Sequence, residues 1–218
     1  RIMRLSDKMC TIIPSINVLT FREVQERIKK IEPYVSWCHF DVTDGIFSTH
    51  PTWRNPADLS LLRTTLNVEV HLMVEEPEKI IDKWLVKPIT RVIIHLEASK
   101  DIDGIIEKCR ETGIACGIAI RPDTSWNMLI PWLGKADLIQ ILAVHPGPSG
   151  QKMNPEIFDK IRHVREACSS CIIEMDGGIN PETAVLARSA GANLMVSAGY
   201  IFSQSDIGKA IEELRTCS

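Results

Sequence analysis

"NVEVHLMVEEPEKIIDKWLVKPITRVIIHLEASKDIDGIIEKCRETGIACGIAI", residues 67–120, decides the fold of this 218-residue chain. It opens on an apolar run of strand length (67–73), crosses an amphipathic stretch (77–85) and returns to a second run (90–96). A helix-period segment (101–113) ending in a candidate C-cap glycine then leads into a third run (113–120). Strands this apolar on both faces suit a parallel sheet covered by helices.

The same alternation extends outward in both directions. Towards the start lie "TIIPSI" (11–16), "FREVQERIKKI" (21–31) and "SWCHFDV" (36–42); towards the end lie "DLIQILAV" (137–144), "CIIEMD" (171–176) and "ANLMVS" (192–197). Eight β/α units without a linker or low-complexity segment predict an α/β protein. They favour a closed (β/α)₈ TIM barrel over an open doubly wound sheet, with one domain across 1–218. A chain of this length can hide roughly 70% of its unfolded surface.

Bulk properties remove several function classes. A net charge of −3 supplies no basic field, so neither nucleic acid nor an acidic membrane is an expected partner. No apolar run approaches the ~20 residues of a membrane span. The opening "RIMRLSDKMC" lacks a following apolar core and does not read as a signal peptide. Of seven cysteines, Cys168 and Cys171 come closest to a pair, with no second pair to complete a zinc site. Reduced, mostly buried thiols in a cytoplasmic protein are expected.

Barrel active sites sit at C-terminal strand ends and the loops that follow. Strand one ends at Ser15, and "HFDVTDG" (39–45) ends strand two with His39 and Asp41 on one face, two residues apart. Strand three carries Glu69 and His71 together, and strand seven carries Glu174 and Asp176. If those faces line the barrel, His39, Asp41, His71 and Asp176 converge. Two nitrogens and two oxygens suit one divalent ion such as Zn²⁺, Fe²⁺, Mn²⁺ or Co²⁺. Glu69 and Glu174 would orient those ligands. A lone buried histidine is more often a hydrogen-bonded core residue, but so many polar groups at adjacent strand ends need compensating partners.

The last three strands are followed by "HPGPSGQ" (145–151), "DGGI" (176–179) and "SAGY" (197–200). Glycine lets backbone N–H groups approach an anion, and a phosphate site after strands seven and eight recurs in this fold. His145 enters the first of these loops and could help bind an anion. His50, His95 and His163 have no matching partners and read as surface or core residues. Trp84, Trp126 and Trp132 read as core or interface, Trp37 as packing, and Trp53 as either packing or part of the site's mouth.

These residues resemble the ribulose-phosphate 3-epimerase family over nearly the whole chain. The likeness rests on "IIPSI" (12–16), "HFDVTDG" (39–45), "VHLMV" (70–74), "HPGPSGQ" (145–151) and "EMDGGI" (174–179), with "IHLEAS" (94–99) similar to the fourth strand end. It implies a metal-dependent (β/α)₈ barrel that inverts carbon 3 of a ketopentose 5-phosphate, D-ribulose to D-xylulose, in cytoplasmic pentose phosphate metabolism. It further implies His39, Asp41, His71 and Asp176 as metal ligands, Asp41 and Asp176 as the acid/base pair, and Ser15 hydrogen-bonding near the reacting centre. Phosphate contacts would map onto Gly147, Gly150, Gly177, Gly178 and the Ala198–Gly199 turn, and Met73 onto a methionine packed over the substrate. His71 would also touch substrate, and a homo-oligomer, dimer or higher, is expected.

The chain departs from the family pattern at Thr43 and Leu142, where methionine is common, and at Pro148 and Ala198–Gly199. The loop "IFSTHPTW" (46–53) also differs. The chemical ligands are kept while the pocket around them changes. An epimerase of another ketose phosphate, such as a hexulose 6-phosphate, therefore stays open, as does a non-catalytic sugar-phosphate-binding barrel. A related decarboxylase would need lysine where Thr43 stands. For the epimerase, abstraction of a proton alpha to a ketone requires stabilising an enediolate, and inversion requires an acid/base group on each face.

Overall fold

The computed structural model describes residues 10–147, 151 and 153–218. Eight parallel strands close into a barrel in sequence order. They are β1 (Thr11–Ile16), β2 (Trp37–Thr43), β3 (Asn67–Met73), β4 (Ile89–His95), β5 (Ala115–Ile120), β6 (Leu138–Leu142), β7 (Ile173–Asp176) and β8 (Leu194–Ser197). Each lies within two residues of the run that predicts it.

The helices are α1 (Phe21–Ile31), α2 (Ile102–Thr112), α3 (Ile157–Ala167), α4 (Pro181–Ala190), α5 (Gly199–Ser203) and α6 (Ile207–Cys217). Their ends follow local chemistry. Thr20 and Glu23 form a capping box at the start of α1. Asn180 caps α4, with Pro181 in its first turn. Gly113 ends α2 in the left-handed conformation, φ 71°.

The connections after β2, β3 and β5 are 3₁₀ segments instead of α-helices. The amphipathic stretch 77–85 therefore forms two single turns, Pro77–Lys79 and Ile81–Lys83. Pro88 limits how far the segment can run, because the residue before a proline avoids the helical region. Ile81 and Trp84 from this segment still pack into the outer layer.

Register explains the distribution of polar groups. Ser15 pairs with His39, Asp41 with His71, Leu142 with Asp176, and Asp176 with Val196. Parallel neighbours in register share a face, so these side chains all enter the barrel. Ile93, Ala119, Leu138 and Leu194 form an apolar cluster on the same interior face. The opposite faces carry Phe40, Val70, Ile94, Ile118 and Met175 into the main core under the helices.

Cys168 and Cys171 form a disulfide, correcting the expectation of reduced thiols throughout. Their Cα atoms stand 5.5 Å apart, close enough to bridge without moving the chain. Cys10, Cys38, Cys109 and Cys116 are free and buried. Among the described residues, no helix is long and apolar enough to cross a membrane.

Candidate active site

The C-terminal end of the barrel opens into a cavity of about 520 Å³. Ser15, Asp41, Met73, Leu142 and Asp176 line its floor and wall, and Gly147, Gly177, Gly178, Ala198 and Gly199 line its rim. Gly150 and Pro148 lie outside the described residues.

His39, Asp41, His71 and Asp176 meet beneath this cavity. One donor atom from each lies within 4.8 Å of all the others, a spacing that could hold a metal ion. His71 Nδ1 stands 3.4 Å from Asp41 Oδ1 and 3.4 Å from Asp176 Oδ2. It is buried yet makes no hydrogen bond. An orphaned imidazole nitrogen between two carboxylates is the arrangement a divalent cation completes. His39 Nε2 approaches the same point, 3.2 Å from Asp41 Oδ1 and 3.9 Å from Asp176 Oδ2.

The surrounding shell holds each group in place. Ser15 Oγ donates to Asp41 Oδ2 at 2.6 Å. His39 Nδ1 faces Glu69 Oε1 at 2.8 Å, as the orienting role for Glu69 anticipates. Glu174 does not touch an imidazole in this way. Its Oε1 accepts from Gln140 Nε2 at 3.1 Å, and the same amide donates to Asp176 Oδ2 at 3.3 Å. Gln140 thus joins the site through β6, a residue the sequence reading passes over.

Electrostatics follow from burial and these contacts. Burial alone would raise Asp41, but the hydrogen bond from His39 and the nearness of both the His39 and His71 rings hold it well below the usual carboxylate range. Burial opposes a charge on His39, yet its bonds to Asp41 and Glu69 outweigh that and raise its pKa. Glu174 is pushed well above an ordinary carboxylate, first by burial and then by the charge on Glu69.

Several further expectations resolve here. His95 is not partnerless: it is fully buried, with Nε2 2.9 Å from His71 Nε2. His163 stacks on Trp126 at 5.3 Å, away from the cavity's lining. Trp53 does not form the mouth. Its ring packs in the outer layer against Phe21, Phe40 and Trp84, with Nε1 donating to Asp58. Phe47 packs on Met73 and Ala98 beside the site instead. Thr43 is absent from the cavity lining, because its hydroxyl donates to the His50 carbonyl at 2.6 Å and ties down loop 46–53.

Gly177 and Gly178 have φ of 97° and 69°, a region costly for other residues. A Cβ on Gly177 would stand 2.7 Å from Val144 Cγ2. The turn after Asp176 therefore keeps its backbone against the cavity only with glycine there.

A model of the ribulose-phosphate 3-epimerase family matches residues 11–202. The chain belongs to that family. As a member it is an isomerase. The ribulose-phosphate 3-epimerase of Bacillus subtilis is 34% identical over 215 residues, covering 95% of this chain and 99% of that protein. The Chlamydia muridarum protein of the same name is 36% identical over 176 residues, covering 78% and 77%. Among solved structures, a mutant tryptophan synthase alpha-subunit from Pyrococcus furiosus aligns with a TM-score of 0.72. It shares 12% identity, with 95% of this chain and 99% of that one covered, a likeness that carries the fold alone.

Proposed function

We propose that this chain epimerises carbon 3 of a ketose phosphate, converting D-ribulose 5-phosphate to D-xylulose 5-phosphate. The observation that carries the reading is the meeting of Asp41 from β2 and Asp176 from β7 on one buried imidazole nitrogen below a glycine-rimmed cavity. The names of the curated relatives support the same substrate.

Asp41 and Asp176 act as the two proton carriers. One removes the carbon-3 proton, and the other returns a proton to the opposite face of the planar enediolate. Ser15 holds Asp41 through its hydroxyl, and Gln140 holds Asp176 through its amide. Each carboxylate therefore meets substrate in a fixed orientation. Met73 and Leu142 supply an apolar wall that limits water at the reacting carbon. Backbone N–H groups around Gly147, Gly177, Gly178, Ala198 and Gly199 receive the phosphate. A divalent ion held by His39, Asp41, His71 and Asp176 would supply Lewis-acid stabilisation of negative charge developing on substrate oxygens.

The test is incubation of metal-loaded protein with D-ribulose 5-phosphate in D₂O. Xylulose 5-phosphate carrying deuterium at carbon 3 is expected. Absence of both inversion and exchange would refute the reading, while turnover only of a hexulose 6-phosphate would reassign the substrate.

A further inference from the structure

We propose that Asn17 is a specificity-determining residue whose side-chain amide hydrogen-bonds the carbon-4 hydroxyl of the substrate. This rests on the carbon-3 epimerase reading and names the substrate group, beyond the reacting carbon and the phosphate, that the cavity selects.

Asn17 follows the last residue of β1, two positions beyond Ser15, and both line the cavity. Asn17 Oδ1 is buried, and among the described residues it has no hydrogen-bond partner. Hydroxyls on the same lining are engaged by the protein. Ser15 donates to Asp41, Thr183 to the Gly178 carbonyl at 2.8 Å, Ser197 to the Ile179 carbonyl at 3.2 Å and Tyr200 to Glu213. Buried polar atoms are normally paired, so an orphan on a cavity wall marks where a ligand group belongs. A hydroxyl both donates and accepts, and therefore matches an amide whichever of its two ends is presented.

The position of Asn17 selects which hydroxyl. Below it, Ser15 fixes Asp41, one of the two carboxylates that serve carbon 3. Beside it, β1 pairs with β8 up to Pro14 and Ser197, directly before the Ala198–Gly199 turn on the phosphate rim. Asn17 thus stands between the reacting carbon and the phosphate. In a ketopentose 5-phosphate only carbon 4 separates carbon 3 from the carbon that bears the phosphate, and it carries a hydroxyl. Carbons 1 and 2 extend to the other side of carbon 3. A neutral amide also reads that hydroxyl without repelling the nearby phosphate, as a carboxylate would.

The test compares D-ribulose 5-phosphate with its 4-deoxy analogue, which keeps the ketone, the carbon-3 centre and the phosphate. The metal-loaded parent should favour D-ribulose 5-phosphate by about 10-fold or more in kcat/KM. Asn17→Leu should lower kcat/KM for D-ribulose 5-phosphate by about 10-fold and leave that for the analogue within about threefold, so that the preference disappears. Asn17→Ala should remove the preference in the same way. Because Oδ1 has no partner in the protein to lose, N17L should unfold in urea at or above the parental midpoint. Equal turnover of the two compounds by the parent would overturn the proposal. So would N17L or N17A protein that lost both activities equally or kept the parental preference. A parent that epimerises neither compound, and exchanges neither carbon-3 proton in D₂O, would instead refute the epimerase reading itself.

Discussion

Glu69 Oε1 and His39 Nδ1 lie 2.8 Å apart inside the barrel, and neither side chain is exposed to solvent. The other oxygen of Glu69 pairs with Arg91 Nε at 3.1 Å, and Arg91 in turn covers the Trp37 ring at 4.3 Å. One carboxylate therefore both orients a site imidazole and neutralises a buried guanidinium. Its removal should be felt twice. Glu69→Ala is expected to destabilise the metal-free protein by about 3–5 kcal/mol, because Arg91 is left charged and unpaired. Urea denaturation measures this, and an unchanged midpoint would show that the pair carries no such burden. Glu69→Gln, which preserves volume, should weaken metal binding by about 10–100-fold.

The orphaned Nδ1 of His71 leads to a prediction on metal content. Protein purified without chelator should contain one divalent ion per chain. At a free metal concentration of 100 times Kd, the ion should add about 2.7 kcal/mol of stability, visible as a higher Tm. His71→Ala should lose the ion, the added stability and the activity together. Full activity of the parent in excess chelator would contradict the ligand assignment.

The turn after Asp176 can be tested apart from the acid/base chemistry. Gly177→Ala combines a φ of 97° with a Cβ only 2.7 Å from Val144 Cγ2. It should cost about 1–3 kcal/mol of stability. It should also raise KM for the phosphorylated substrate, through displaced backbone donors. Val144→Ala in the same chain removes the clashing methyl and should recover part of the stability. No loss of either stability or substrate affinity would show that the turn tolerates a side chain.

The extent to which the site was legible in the sequence follows from the physics of strands. His39 with Asp41, and Glu174 with Asp176, are visible because residues two apart on a strand share a face. Gln140 and His95 are not, since each acquires meaning only across the sheet. Gln140 is in register with Glu174, and His95 shares the inward face of Ile93, the register partner of His71. No single-chain spacing encodes either relationship. The barrel itself was legible because β-branched runs recur between amphipathic ones. The 3₁₀ connections were not, as the same apolar period survives whether a segment forms an α-helix or separate 3₁₀ turns. Thr43 shows a different failure. Its departure from the family pattern was visible, but its hydroxyl serves loop 46–53 instead of lining the cavity.

The two aspartates provide the sharpest test. Asp41 comes from β2 and is fixed by Ser15, whereas Asp176 comes from β7 and is fixed by Gln140. Each has its own support and can be altered while the other remains anchored. Asp176→Asn should abolish inversion, lowering kcat by about 10²–10⁴-fold as expected for a lost general acid or base. Asp41 should then still exchange the carbon-3 proton of one epimer with solvent. Asp41→Asn should give the mirror-image pattern with the other epimer. A purely structural role predicts something else: lower stability in both variants, with folded protein turning over normally. Because both residues also belong to the ligand cluster, each variant is assayed at saturating metal, with metal content determined on the same sample. Epimerisation at the parental rate by folded, metal-loaded D41N and D176N would rule out the two-carboxylate mechanism. Exchange of both epimers by a single variant would show that one carboxylate reaches both faces.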